Sequence, residues 1–377
     1  MQFRDLQAQY KALKNEIDSA LLQVASDCNF ISGKQVTELE QQLAEYVGVK
    51  HCVTCGNGTD ALSMVMMAWD VKPGDAVFVP DFTFFASGEV VSFEGATPVF
   101  YDVCEETFNA DVASLERAIQ AVIEEGVLRP KAIVAVDLFG QPADYVALQE
   151  VAKKYNLLLL EDGAQGFGGK IGEQISCSFG DAATTSFFPA KPLGCYGDGG
   201  AVFTNDDTVA DYLRSIRVHG KGSFKYDNVR IGWNSRLDTI QAAVLQVKLK
   251  AFASYELKNV NEVAVKYTEL LKDVVKTPIV PQNMYSSWAQ YTLRLESEDQ
   301  RDALQTYLKE QGIPSMVYYP KPMHQQLAFD GNRNYVDCPV TEKLCKTVLS
   351  LPMHPYMTDE EINTVAFHVK EFLSKNN

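Results

Sequence analysis

The chain has 377 residues and a formal net charge of -15, with 34 Lys and Arg against 49 Asp and Glu. That balance repels phosphate backbones and the cations are scattered, so no nucleic-acid partner is expected. No run approaches a membrane span, the N-terminus lacks an apolar signal core, and eight scattered cysteines fit a reducing cytosol. A soluble, cytoplasmic protein is the expectation. Cys52-x-x-Cys55 is a lone pair without the second pair or nearby histidines that zinc requires, and no metal is expected.

In chain order, residues 7–27 and 35–46 carry apolar positions at helical spacing. Apolar, β-rich runs follow at 76–79, 97–101, 132–136, 157–160, 183–187 and 201–204. Amphipathic segments at about 85–94, 112–125 and 143–155 separate the first four. Near-continuous apolar strands alternating with helices predict an α/β fold with a mostly parallel central sheet covered on both faces. A long helix is predicted from Arg236 to about Leu257. Beyond it the spacing predicts a strand over 288–295, a helix over 299–311, a strand over 314–319 and a closing helix over 359–375. Residues 1–250 are read as a large α/β domain with N-terminal helices, and 251–377 as a smaller C-terminal α+β domain.

Two residues stand out for their chemistry. Lys191 lies in Ser186-Phe-Phe-Pro-Ala-Lys-Pro-Leu-Gly-Cys-Tyr-Gly-Asp-Gly-Gly200, apolar before the lysine and glycine-rich after it. Asp162 follows the apolar run Leu157–Leu160, at a strand end where ligands of parallel sheets gather. An amine held in a closed site loses its proton readily and can bind an aldehyde as a Schiff base. A carboxylate at a buried strand end can keep a ring nitrogen protonated. Together they predict a pyridoxal 5'-phosphate site. Taken singly, Lys191 reads equally as a solvated loop residue and Asp162 as a helix cap, although Gly163-Ala-Gln165 opens no amphipathic helix.

The phosphate needs donors. Cys55-Gly-Asn-Gly-Thr-Asp60 runs into the helical stretch 61–69, and a glycine-rich turn at a helix N-terminus offers unpaired N–H groups. Gly58, Thr59 and Asp60 are the candidates, Asp60 through its backbone N–H with its carboxylate turned away. The same turn also reads as a plain cap made by Asn57 or Thr59. Ser186 offers a further hydroxyl, Gln165 a donor to the phenolic oxygen, and Phe84 a stacking face or, equally, a core side chain. The segment Gly197-Asp-Gly-Gly200 lacks the spacing of a nicotinamide-binding fingerprint.

The segments Gly56-Asn-Gly-Thr-Asp-Ala-Leu62, Glu161-Asp-Gly-Ala-Gln165, Ser186–Gly194, Gly197–Ala201, Gly232-Trp-Asn-Ser-Arg-Leu-Asp238 and Gln241-Ala-Ala243 resemble the DegT/StrS family of nucleotide-sugar aminotransferases. The resemblance runs from Phe3-Arg-Asp-Leu6 to Leu351-Pro-Met-His-Pro355. It implies the aspartate aminotransferase-like fold, type I, and a homodimer with shared active sites. It implies L-glutamate and a keto nucleotide-sugar as substrates, and a place in surface polysaccharide biosynthesis.

Position by position, Lys191 resembles the Schiff-base lysine, Asp162 the pyridinium partner, Gln165 a ring neighbour and Phe84 the stacking aromatic. Gly58, Thr59, Asp60 and Ser186 resemble the phosphate site, joined by Asn234 from the other subunit. Retention of Lys191 favours amino transfer over the dehydratases of the family and over a non-catalytic regulatory relative. Within the family the likeness points to members acting on a UDP-linked 2-acetamido-3-keto hexuronate, with 4-keto or dTDP-linked sugars as the alternative. Tyr318-Tyr-Pro320 replaces an expected His-Tyr-Pro. Tyr319, His324, Arg236 and His219 are the substrate-binding candidates, each open to a structural reading as well.

Overall fold

The computed structural model describes residues 1–224 and 226–375. Seven strands form the central sheet: β1 (His51–Cys55), β2 (Asp75–Pro80), β3 (Thr97–Tyr101), β4 (Arg129–Val136), β5 (Leu158–Asp162), β6 (Ala182–Ser186) and β7 (Gly200–Thr204). Their spatial order is β1-β7-β6-β5-β4-β2-β3. β7 pairs antiparallel with both β1 and β6, while the other pairings are parallel. Six strands therefore share one direction and bring their carboxyl ends to one edge.

Every residue of β2 is buried, because helices cover both faces. The pleat sends alternate residues to opposite layers. Val77 and Val79 pack with residues of α3 (Gly58–Ala68) and α4 (Ala86–Phe93). Ala76 and Phe78 pack with α5 (Val112–Glu125) and α6 (Tyr145–Tyr155). Cys52 and Cys55, three apart on β1, fall into different apolar clusters and have burial-raised thiol pKa values, as structural thiols do.

N-terminal helices Leu6–Asp27 and Lys34–Val47 match their predicted spans to within a residue. Other predictions need correction. The helix expected to end near Leu257 runs on: Thr239–Ala251, a π turn over Phe252–Glu256, then Leu257–Leu271. The π turn widens the helix by one residue and disturbs the apolar period there, which explains the early predicted end. The strand expected over 314–319 pairs only through Met316 with Ser350. Pro314 and Pro320 flank it and lack the N–H donors a ladder needs. The strand expected over 288–295 is confined to Tyr291–Arg294 and pairs with Val348–Leu351, which the sequence pattern did not reveal. Among the described residues no helix is long and apolar enough to cross a membrane.

Candidate active site

Asp162 ends β5, in register with Val136 on one side and Thr184 on the other, and is 5% exposed. Its Oδ2 accepts from Ser87 Oγ at 2.8 Å, and its Oδ1 from the Ala164 N–H at 3.2 Å. Burial raises the carboxyl pKa, and these two bonds together with the charge of Lys191 hold it down. The residues after Asp162 form a turn, as expected, rather than a helix.

Lys191 lies in the loop between β6 and β7. The Phe187 N–H donates to Gly199 O at 2.7 Å, and the Cys195 N–H to Phe187 O at 2.8 Å, closing the base of the loop. Burial lowers the Lys191 pKa, opposed by Asp162 and reinforced by Arg4. The structure thus brings the amine and the carboxylate within electrostatic reach of each other, although 29 positions (191 less 162) separate them in sequence.

Gln165 is buried with both ends of its amide engaged. Oε1 accepts from the Phe139 N–H at 2.7 Å, and Nε2 donates to Tyr319 Oη at 2.9 Å. One Nε2 hydrogen remains for another acceptor. Tyr319 joins the cluster through this bond and through the charge of Asp162, which helps raise its pKa. Phe84 is 54% exposed, which corrects its reading as a core residue, and its ring centroid lies 6.3 Å from that of Tyr319.

The turn before α3 folds against the end of β6. A Cβ added to Gly58 would lie 2.7 Å from Ser186 Cβ, so only glycine admits this approach. Asn57 caps the helix, its Oδ1 accepting the Asp60 N–H at 2.8 Å. The Asp60 backbone donor assigned to a phosphate is therefore taken, and its carboxylate accepts from Ser235 Oγ at 2.6 Å. The N–H groups of Gly58 and Thr59 have no preceding helical turn to accept them. Ser186 Oγ accepts from the Phe188 N–H at 3.2 Å and keeps its own hydrogen.

The other candidates lie further out. Asn234 is exposed and pairs with Val218 beside the Ser235 contact. Arg236 is half-buried, and among the described residues no hydrogen bond or ion pair holds its guanidinium. His219 is exposed on an open groove of about 530 Å³, with residues 228–232, that does not include Lys191. His324 binds Asp81 at the end of β2, Nδ1 to Oδ2 at 2.7 Å, with Nε2 3.5 Å from Glu342. Cys338 approaches the same pair, all three ligand atoms lying within 4.8 Å. The 2.7 Å separation is that of a hydrogen bond, and the Cys338 thiol pKa is raised by burial, so the group is satisfied as a buried polar cluster.

These residues fit pyridoxal phosphate. A glycine-only approach of a helix N-terminus to Ser186 suits the phosphate, and a buried carboxylate lies within electrostatic reach of an amine of lowered pKa. The fold and this site define a pyridoxal-phosphate enzyme of fold type I.

The chain belongs to the DegT/DnrJ/EryC1/StrS aminotransferase family, whose sequence profile matches residues 11–370. A relative from Pseudomonas aeruginosa, UDP-2-acetamido-2-deoxy-3-oxo-D-glucuronate aminotransferase, is 44% identical over 97% of this chain and 98% of its own. A crystal structure of a DegT DnrJ EryC1 StrS aminotransferase from Brucella abortus is similar with a TM-score of 0.96 and 48% identity, covering 99% of both chains. S. venezuelae DesV, solved in complex with a ketimine intermediate, gives 0.92 and 34%, covering 99% of this chain and 98% of that one. The cofactor is pyridoxal phosphate, and the enzyme is an aminotransferase.

Proposed function

We propose that this enzyme transfers the amino group of L-glutamate to the 3-keto group of a UDP-linked 2-acetamido sugar, a hexuronate. The observation that carries the amino-transfer reading is that the Lys191 amine and the Asp162 carboxylate come within electrostatic reach of each other. The full-length likeness to the P. aeruginosa relative supports the sugar. When bound, pyridoxal phosphate supplies an electron sink for the carbon that gains or loses nitrogen.

The chain's own residues do the rest. Lys191 Nζ, kept basic but not permanently charged, takes a proton from one carbon and returns it to another. Asp162, fixed by Ser87 and Ala164, presents its carboxylate to the ring nitrogen that the cofactor would place there. Gln165 orients the Tyr319 hydroxyl, and Gly58, Thr59 and Ser186 anchor an anion. Arg236, with no partner among the described residues, is available to a substrate carboxylate or diphosphate.

Two copies complete the site in this reading. Phe224 (75% exposed), Ile231 (85%), Phe30 and Phe188 are exposed, and Ser235, next to Asn234, bonds the Gly56–Asp60 turn. Exposed apolar side chains of this kind support a subunit contact in this reading. The C-terminal residues 251–377 serve as the smaller domain that carries Tyr319 to the cofactor.

The test is to convert the purified enzyme to its pyridoxamine form and add UDP- and dTDP-linked 3-keto and 4-keto sugars separately. Return of the aldehyde absorption with the UDP-linked 3-keto hexuronate is expected. Response to none of them overturns the proposal.

A further inference from the structure

The loop that carries Lys191 is held by two cations, Arg4 and Lys248. Arg4 Nη2 donates to Lys191 O at 2.8 Å and to Pro192 O at 3.3 Å. Lys248, 1% exposed, donates from Nζ to Gly194 O at 2.8 Å. The arm that bears Arg4 is itself fixed on both sides. Phe3 O accepts from the Met353 N–H at 3.1 Å, and Asp5 caps the first helix by accepting from the Ala8 N–H at 2.8 Å.

We propose that Arg4 is a positioning residue for Lys191, clamping the backbone of the reactive lysine and setting a fixed positive charge within reach of its amine. The inference rests on Lys191 being the cofactor-bearing lysine. The charged groups that reach Lys191 are Asp162, from the end of β5, and Arg4, from the N-terminal arm, and they act in opposite directions. Around Arg4 stand Glu256 of the π turn, Lys248 and His354. Glu256 is held by Gln9 Nε2 at 3.0 Å and by Tyr356 Oη at 2.5 Å, which fixes the counter-charge as well. Arginine suits this place because the two hydrogens of one planar nitrogen, Nη2, serve two adjacent carbonyls and its charge persists across the working pH range. A lysine there keeps the charge and loses the planar geometry.

The experiment labels the full chain, stripped of cofactor, with brief pulses of acetic anhydride across a pH series, and reads acetylation of Lys191 by peptide mass spectrometry. The midpoint reports the amine directly. Arg4→Gln is expected to move it upward by about half a pH unit or more, and Arg4→Lys to leave it near the wild-type value. Arg4→Met, which keeps the apolar stem, replaces Arg4→Gln if that variant is insoluble. Identical midpoints in wild type and the neutral variants overturn the proposal, as does an equal shift in Arg4→Lys. Borohydride reduction of the loaded wild type followed by peptide mapping checks the other premise separately. Cofactor fixed elsewhere than Lys191 sinks the proposed function without changing the labelling result.

Discussion

Ser87 Oγ donates to Asp162 Oδ2 at 2.8 Å across 75 residues of sequence, and Thr83 Oγ1 lies 3.1 Å from the same hydroxyl. A strand-end carboxylate is thereby oriented by α4, the helix that follows β2, two strands away in the sheet. The hydroxyl also opposes burial, which raises the Asp162 pKa. Removing it makes the carboxylate easier to protonate, so less of the ionised form is present at a given pH. Ser87→Ala should lower kcat about tenfold, the effect of one hydrogen bond to a charged group. The acid limb of its pH–rate profile should move to higher pH. An unmoved limb would show that Ser87 only packs.

Gly58 is where the cofactor cleft tolerates least. A Cβ there meets Ser186 Cβ at 2.7 Å and Ser186 Cα at 3.3 Å, close to the main chain of β6, so side-chain rotation cannot relieve it. Gly58→Ala should separate the turn from the strand and weaken pyridoxal phosphate retention by about tenfold or more, roughly 1.4 kcal/mol. Dialysis followed by cofactor titration measures this. Wild-type affinity in the variant would remove Gly58 from the anion site.

Asp102 ties the two ends of the sequence together. Its carboxylate accepts from the N–H groups of Val340 and Thr341 and from the Thr341 hydroxyl, each at 2.9 Å, and the side chain is 4% exposed. These are the first N–H groups of the helix Pro339–Thr347, whose own N-cap residue, Cys338, contributes no side-chain bond. Asp102→Ala should cost about 2 kcal/mol by leaving buried donors unpaired. Urea unfolding with cofactor in excess would read that loss, and an unchanged midpoint would contradict it.

That helix also explains what the sequence concealed. A helix capped by its own flanking residues announces itself locally, whereas this one is capped by Asp102, 238 residues before Val340. Strands such as Thr97–Tyr101 were legible because burial on both faces makes them continuously apolar. Asp162 was legible because it terminates such a run. β1, His51–Cys55, carries no such signal: it is short, and its two cysteines, spaced like a ligand pair, serve opposite layers. Ser87 and Arg4 carried no local signal, since each acts on a partner brought close only by folding. The Asp60 reading failed for a related reason, because Asn57, three residues earlier, had already taken its N–H.

His354 gives the fold a pH dependence of definite sign. It is 2% exposed, both ring nitrogens lack a partner among the described residues, and burial lowers its pKa to about 4. An ordinary histidine titrates near 6.5, so the unfolded chain binds the proton that the folded chain refuses. Stability is therefore lost as pH falls from about 6.5 toward 4, by about 2 kcal/mol between pH 7 and pH 4.5 for this one group. Asp137 acts in the opposite direction, since burial lifts its carboxyl to about 6 and favours the protonated folded form. Comparing wild type with His354→Gln cancels that contribution, which both chains share. The stability gap between the two proteins, measured by denaturant unfolding, should shift in favour of His354→Gln as the solution is acidified. A gap that stays constant from pH 7 to pH 4.5 would mean that His354 finds a proton acceptor in the folded protein.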